Sequence, residues 1–564
     1  MTAPLPLDFV LARRDSLSQV KASSHGLYWL ASIAAEDGRV TVRHQGTDGM
    51  IRDLTSGASV RSRVMEYGGG AYDVADDVLV YVDDHTRRLW VQEGEHLRTL
   101  TPDQERYLYG GLAVHLPSRR VLAVREDHEA TPEPKTEIVA LSLDDENLDG
   151  GEVLVTGADF YASIAVHGAR FAWCQWMHPH MSWDEASVWI APLDDPQNAE
   201  PVCAGENVSA LYPLWLDSER LAYVSDESGY WNWTVAGTGQ NQRLRRDADG
   251  AGPLWVCDAP AAATDGSRLA FVEYRDGWGT LTVWDPASGA ITQPLPGTAD
   301  VESVCWREGE LHAVVAWPDR TASLVRLTGT GEVTDVVGAP ALDGAVVPQP
   351  RWADGPAGPV QFWAYLPEGV ENPPLLVKTH GGPTAMASAS FDEEIQFWVS
   401  RGFAFADINY GGSTGFGREY RNRLRGQWGV LDVADVVAAV RELVDAGLVD
   451  GARVAIKGGS AGGYTTLQSL VSTDVFAAGM SRYGIGDLGA LATDTHKAES
   501  RYTFGLVGPW PEAEEVYRER SPLFHLDRLS TPMLILQGLQ DKVVPPNQAF
   551  AMADAVRAAG KPWL

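Results

Sequence analysis

Val454-Ala455-Ile456-Lys457-Gly458-Gly459-Ser460-Ala461-Gly462 is the stretch whose reading decides the fold of the second part of this chain. An apolar run of strand character meets a serine flanked by glycines, and Tyr464, Thr465, Leu467, Leu470 and Val471 continue beyond it with helical spacing. A strand, a cramped turn and a helix in that order lift a hydroxyl clear of a β-sheet. The glycines remove the β-carbons that would clash in such a turn. Ser460 then stands at a helix N-terminus, where backbone N–H groups favour developing negative charge. The chemistry this prepares is attack of an activated hydroxyl on an acyl carbon. A glycine-rich turn with an incidental serine would read the same, so the flanking segments have to decide.

Upstream, Leu375-Leu376-Val377 reads as a buried strand and runs into His380-Gly381-Gly382-Pro383. Loops of this type supply one amide of an oxyanion hole in α/β-hydrolases, and the residue after the nucleophile supplies the other. The expected donors are Gly381 and Ala461, each contributing about 3 kcal/mol of barrier reduction. His380 is expected to pack the loop rather than to transfer a proton. Downstream, the strand Met533-Leu534-Ile535-Leu536 leads through Gln537-Gly538-Leu539-Gln540 to Asp541 and then Val543-Val544-Pro545-Pro546. An acid after a late strand is where this fold orients its catalytic histidine, so Asp541 is the expected acid, although an aspartate there otherwise serves a turn.

The chain order in this fold is serine, acid, histidine, and no histidine follows Asp541. His496 and His525 lie between the serine and the acid, out of that order; His525 is expected to be structural and His496 to line a pocket. Pro546 to Ala559 reads as a helix closed by Gly560. Lys561-Pro562-Trp563-Leu564 reads as the entry to one more strand, so the catalytic unit is expected to be C-terminally incomplete.

The first part of the chain has a different grammar. Strands of one character recur at Leu27-Tyr28-Trp29-Leu30, Leu79-Val80-Tyr81-Val82, Leu122-Ala123-Val124, Phe171-Ala172-Trp173, Leu221-Ala222-Tyr223-Val224, Leu269-Ala270-Phe271-Val272 and Leu311-His312-Ala313-Val314, at intervals of 42 to 52 residues. Seven units at that period predict a seven-bladed β-propeller, because a sandwich has no reason to repeat one signature so often. The aromatic stretches Trp173 to Trp183 and Tyr230-Trp231-Asn232-Trp233 are expected to pack blades. The chain turns Gly-, Pro- and Ala-rich between Gly338 and Pro359, after which helices alternate with parallel-type strands. The expected division is an N-terminal segment 1–20 packing on the catalytic domain, a propeller over 21–345 and an α/β-hydrolase domain over 346–564.

Composition narrows the partners. A net charge of −31 over 564 residues disfavours nucleic acid and anionic membranes. No apolar run approaches membrane-spanning length, and the N-terminus lacks a basic region followed by an apolar core. Cys174, Cys203, Cys257 and Cys305 are widely spaced, with no metal-ligand pattern, which fits reduced thiols in a cytoplasmic protein. No metal and no cofactor is expected.

A propeller followed by an α/β-hydrolase domain resembles the prolyl oligopeptidase family of serine peptidases, in particular its acylaminoacyl peptidase and dipeptidyl-peptidase-like branch. The motifs that carry the likeness are His380-Gly381-Gly382-Pro383, Asn409-Tyr410-Gly411-Gly412-Ser413-Thr414-Gly415-Phe416-Gly417, the elbow at Ser460 and Gln537 to Pro545. The resemblance implies cleavage of short peptides or acylated amino acids through an acyl-enzyme on Ser460, with the propeller excluding folded proteins. Glu499-Ser500-Arg501-Tyr502 resembles the family's pocket-lining segment, which makes Arg501 a candidate holder of a substrate carbonyl or carboxylate. Glu66, in Val64-Met65-Glu66-Tyr67-Gly68-Gly69-Gly70, is a candidate partner for a free substrate amine. The alternative for each is a structural ion pair or loop anchor, and a homo-oligomer stays open. Two other classes stay open: a small-molecule esterase or amidase, and a catalytically silent propeller scaffold. Three departures bear on this. The histidine loop is absent, Gly411 stands where the branch has arginine, and Phe416 stands where some relatives carry an oxyanion-binding tyrosine.

Overall fold

The computed structural model describes residues 4–237, 239–258, 261–541 and 543–561. Among them, seven four-stranded antiparallel sheets follow one another along the chain, spanning residues 16–53, 72–99, 107–155, 160–203, 210–243, 262–295 and 300–337. They are the seven blades of a β-propeller. Every repeated segment of the sequence is the second strand of its blade, from Gly26–Ile33 and Val78–Val82 round to Leu269–Arg275 and Glu310–Ala316. These strands are buried along nearly their whole length between adjacent blades, so they read as continuous apolar runs. The fourth strands, such as Ile51–Asp53, His96–Thr99 and Val333–Val337, face solvent and carry no such signal.

Each blade is built from consecutive strands, so no strand is exchanged to close the ring. Closure rests on packing: Leu17, Val20, Leu27 and Trp29 of the first blade meet Cys305, Val314 and Leu324 of the last. The Val20 N–H donates to Ser303 Oγ at 3.0 Å across the same seam. The first strand, Ser16–Ser23, begins earlier than the sequence division placed the propeller, and residues 16–20 are its first half. Ahead of it, the short helix Leu7–Leu11 lies on the hydrolase domain, with the Leu5 N–H donating to Ser400 Oγ at 3.1 Å and Arg14 paired with Glu393 at 2.9 Å.

The last third of the chain forms a seven-stranded sheet from Gln349–Gly355, Gly358–Tyr365, Leu375–Thr379, Ala404–Asn409, Val454–Gly459, Ala478–Arg482 and Met533–Leu536. The spatial order is first, second, fourth, third, fifth, sixth, seventh. The first two strands form a hairpin, the second runs antiparallel to the fourth, and the remaining pairs are parallel. Helices Glu393–Val399, Leu431–Asp445, Ala461–Ser472 and Asn547–Ala558 cover it. Asp392 caps the first of these, its carboxylate accepting the N–H groups of Glu394 and Ile395. The expected helix before Gly560 is present; Pro562, Trp563 and Leu564, read as the entry to a further strand, lie outside the described residues. No helix among the described residues is long and apolar enough to cross a membrane.

The two bodies are joined by buried charge. Arg418 and Arg421, on the helix Gly417–Asn422, both donate to Asp226 of the fifth blade, and the Arg421 guanidinium lies 4.1 Å from the centre of the Trp231 ring. Lys497 enters the propeller elsewhere and donates to Pro134 O, Thr136 Oγ1 and Asp159 O at 2.7 to 3.0 Å.

Candidate active site

The strand Val454–Gly459 sits inside the parallel part of the sheet, between Leu375–Thr379 and Ala478–Arg482. At its end the chain reverses through Ser460, whose backbone is held at φ +54° and ψ −125°, with its N–H donating to Arg482 O at 3.1 Å. Left-handed φ at a residue with a β-carbon is strained, and surrounding packing has to enforce it. Gly462 supplies that packing. A β-carbon there would stand 2.1 Å from Thr379 O, so only glycine lets the first turn of helix Ala461–Ser472 press against the neighbouring strand. Thr379 Oγ1 seals the contact by donating to Gly462 O at 2.8 Å.

The loop His380–Pro383 lies directly beside the serine. His380 is buried and stacked on Tyr410 at 4.4 Å, with Nε2 at 2.8 Å from Ser413 Oγ and Nδ1 at 2.8 Å from Gly381 O. Burial pushes its pKa down to about 4, leaving a neutral imidazole fixed in the loop. From the propeller, Trp255 Nε1–H donates to Thr384 O at 2.8 Å, while the Tyr502 hydroxyl donates to Thr384 Oγ1 at 2.7 Å. Trp183, Trp255, Tyr502 and Tyr67 form one aromatic cluster across the domain boundary, with ring centres 4.5 to 5.6 Å apart.

Ser460 opens on two cavities. The larger, about 370 Å³, is lined by Ser460, Asp541, Gly382, Ala385, Tyr483, Val543 and Val544 together with Tyr67 and Trp255 of the propeller. The smaller, about 20 Å³, is bounded by Ser460, Ala461, Gly382, Glu499 and Tyr502, with Trp428, Ile485, Leu491, Val543 and Val544 as its apolar wall. Asp541 Oδ1 accepts the N–H groups of Val543 and Val544 at 3.0 Å. Among the described residues no hydrogen bond reaches Oδ2.

The structure thus brings Ser460, Ala461 and Asp541 to one place. Gly381 lies against Ser460, its β-carbon position 3.6 Å from that of the serine, but Gly382 is the glycine of the loop that lines both cavities. Arg501 and Glu66 line neither. Arg501 stands 3.9 Å from Glu133 and 5.6 Å from the centre of the Phe504 ring, and Glu66 occupies a left-handed turn whose N–H donates to Arg63 O. Its neighbour Tyr67 is the residue that reaches the cavity. Phe416 packs between Trp352 and Tyr420, and Gly411 donates its N–H to Asp435, so neither faces Ser460. His525 lies 2.6 Å from Glu519 O beside a separate cleft, and His496 is buried against the edge of Tyr67 with its pKa pushed down to about 4.

Glu499 and Tyr67 are the pair that sequence reading passed over. The Tyr67 hydroxyl donates to Glu499 Oε1, joining two residues 432 positions apart. Burial pushes the Glu499 carboxyl up to about 7, the bond from Tyr67 opposing it. The segment Glu499-Ser500-Arg501-Tyr502 was legible as pocket-lining; which of its side chains faced the cavity was not.

Comparison with known proteins places this geometry. The profile of the prolyl oligopeptidase family matches residues 389–564. Acylamino-acid-releasing enzyme 1 of Oryza sativa subsp. japonica is 31% identical over 197 residues, which are 33% of this chain and 25% of that protein. Dipeptidyl aminopeptidase BIII of Pseudoxanthomonas mexicana is 34% identical over 195 residues, 34% of this chain and 28% of that protein. The matched part is therefore about a quarter of the length of these curated relatives. Over the whole fold, a puromycin-hydrolyzing peptidase of Mycobacterium tuberculosis superposes with a TM-score of 0.93 at 37% identity, covering 100% of this chain and 92% of that one. With that likeness extending over the whole chain and the family profile matching its last third, the chain belongs to the prolyl oligopeptidase family.

Proposed function

We propose that this protein is a serine peptidase that cleaves short peptides or aminoacyl amides through an acyl-enzyme on Ser460. The observation that carries the reading is the shared cavity: a serine held at positive φ on its elbow, Asp541 and Gly382 all line one space of about 370 Å³ bordered by Tyr67 and Trp255 of the propeller. In this reading Ser460 Oγ attacks the substrate carbonyl, and the oxygen that becomes negative is met by the Ala461 N–H at the helix start and by an amide of the His380–Pro383 loop. Asp541 Oδ1 is held by the Val543 and Val544 amides, which leaves its other oxygen for the N–H of a histidine base; no histidine among the described residues lines the cavity it shares with Ser460. Tyr67 and Trp255 roof the cavity, which supports a limit on substrate size. The proteins similar to this chain are named for release of acylamino acids, for dipeptidyl aminopeptidase action and for puromycin hydrolysis, and a short amide substrate is common ground for them. All four cysteines are free and buried, which supports a reducing, cytoplasmic setting.

The test is covalent labelling of the full-length protein with a fluorophosphonate, followed by mass mapping. Ser460 should carry the adduct, and Ser460→Ala should abolish both labelling and release of a chromophore from aminoacyl anilides. Absence of an adduct at Ser460 would overturn the reading in favour of a binding protein; turnover of esters without amides would move it to the esterase class.

A further inference from the structure

A second concave space lies behind the elbow: the cleft of about 800 Å³ bounded by helices Leu431–Asp445 and Ala461–Ser472 and the 3-10 turn Pro522–Arg528. Val430, Val433, Ala434, Val437 and Ala438 recur at steps of three and four and line it with one apolar face of the first helix, while Val436, Ala439, Val440 and Leu443 belong to the core. Val430 is 49% exposed. Trp428 walls the smaller cavity at Ser460, and Gly429 and Val430, next in the chain, already line the cleft, so one short segment separates the two spaces.

The cleft is polarised. Both helices connect parallel strands and run in the same direction. At the end where they begin, Arg520 is committed to Gly426 O and Trp428 O, and its carbonyl accepts the Tyr464 hydroxyl at 2.8 Å. Arg441 stands three turns beyond Val430, about 16 Å along the helix. At that far end Thr531, shortly after Arg528, donates from Oγ1 to Phe476 O, shortly after Thr473. Arg441 and Arg528 thus share the far end, and among the described residues neither makes an ion pair or a hydrogen bond. Gln468, 6% exposed on the wall between the ends, makes no side-chain hydrogen bond, and its Oε1 is buried without a partner. The carboxylates of the lining stand elsewhere: Glu519 precedes Arg520, and Asp354 belongs to the hairpin whose Gly355 approaches Asp435 in mid-helix. On a chain of net charge −31, two unspent guanidinium groups at the end of an apolar trough complement a carboxylate that carries an apolar tail.

We propose that this cleft is a binding site for a free long-chain carboxylate, its head group held by Arg441 and Arg528 and its tail laid along the face from Ala438 back to Val430. A concave space of this size, with an apolar floor and a few polar groups, is what small ligands occupy. The cations stand at one end only, which suits a single charged head group better than an acidic peptide bearing charge along its length. A second copy set on this face across a two-fold axis would bring guanidinium towards guanidinium.

Equilibrium dialysis of the full-length protein against dodecanoate at pH 8 is the test, with hexanoate as the short-tailed probe and dodecyltrimethylammonium as the cationic one. Dodecanoate should bind saturably, one molecule per chain, and at least about tenfold more tightly than either. Arg441→Ala combined with Arg528→Ala should weaken it at least about tenfold, whereas the paired lysine variant, which keeps both charges, should stay within about threefold of the parent. Both arginines are exposed, so neither change threatens the fold. Unsaturable binding, equal binding of the cationic probe, or affinity untouched by the paired alanine variant overturns the proposal. So does a parent dimer that the alanine variant dissolves in sedimentation, which would give the cleft to a second copy.

Discussion

His380 shows how one residue can be read correctly as structure when its motif invites a chemical role. Its ring is stacked on Tyr410, bonded at both nitrogens and neutral, with a pKa near 4 against an ordinary 6.5. Between those two values the unfolded chain takes up a proton that the folded protein refuses, so the stability is complete above pH 6.5 and is lost as pH falls towards 4, by about 3 kcal/mol. His312, likewise buried and held near 4, adds a second loss in the same window. Urea unfolding from pH 7 down to 4.5 should therefore show a steeper decline for the parent than for His380→Gln, which is weaker at pH 7 but has one such proton fewer. Parallel profiles would remove His380 from the account. At this scale the sequence was most informative where the backbone dictates identity, as at Ser460 and Gly462. It was least informative where a side chain's direction matters: Tyr67 faces the cavity and Glu66 does not, a choice made by a left-handed turn at residues 65 and 66 that no spacing announces.

Elements were legible in proportion to how continuously they are buried. The second strand of each blade, enclosed on both faces, stands out in all seven copies, whereas the solvent-facing fourth strands are short and polar and leave little trace. The same logic hides the helix Gly417–Asn422, whose charged residues look like a solvated face but whose Arg421 is 2% exposed and bonded to an Asp226 that is wholly enclosed. That pair lies between the hydrolase domain and the fifth blade, with Arg418 sharing the same carboxylate oxygen. Removing one partner strands buried charge, so Asp226→Ala should cost about 3–5 kcal/mol and lower the thermal transition. Arg13→Ala, which breaks an exposed pair with Asp37, should cost less than about 1 kcal/mol. Calorimetry that ranked the two equally would show that the Arg421 guanidinium is not paired in solution.

The site is a property of the whole molecule. Ser460 and Asp541 come from the sheet, Tyr67 and Trp255 from the propeller, and the space between them exists only while the two bodies stay in register. Lys497 holds that register next to the chemistry. It sits two residues before Glu499, on a short 3-10 turn, and its ammonium is spent on Pro134 O, Thr136 Oγ1 and Asp159 O, with the Phe160 ring 4.8 Å from the nitrogen. Burial disfavours its charge and lowers its pKa, with the carboxylates of Glu126, Asp159 and Glu133 opposing that shift. Lys497→Met keeps the aliphatic stem and deletes the three bonds, leaving their acceptors unpaired at a cost on the order of 2 kcal/mol, about thirtyfold in local opening. Amide exchange over residues 495–501 and 134–137 should quicken by that factor, while the elbow helix Ala461–Ser472, anchored by Thr379 and its own packing, exchanges as before. Exchange that rises equally in both places would mean the domains separate as rigid bodies and that Lys497 is no local anchor; exchange unchanged in either would place the anchor at Arg418 and Arg421 instead.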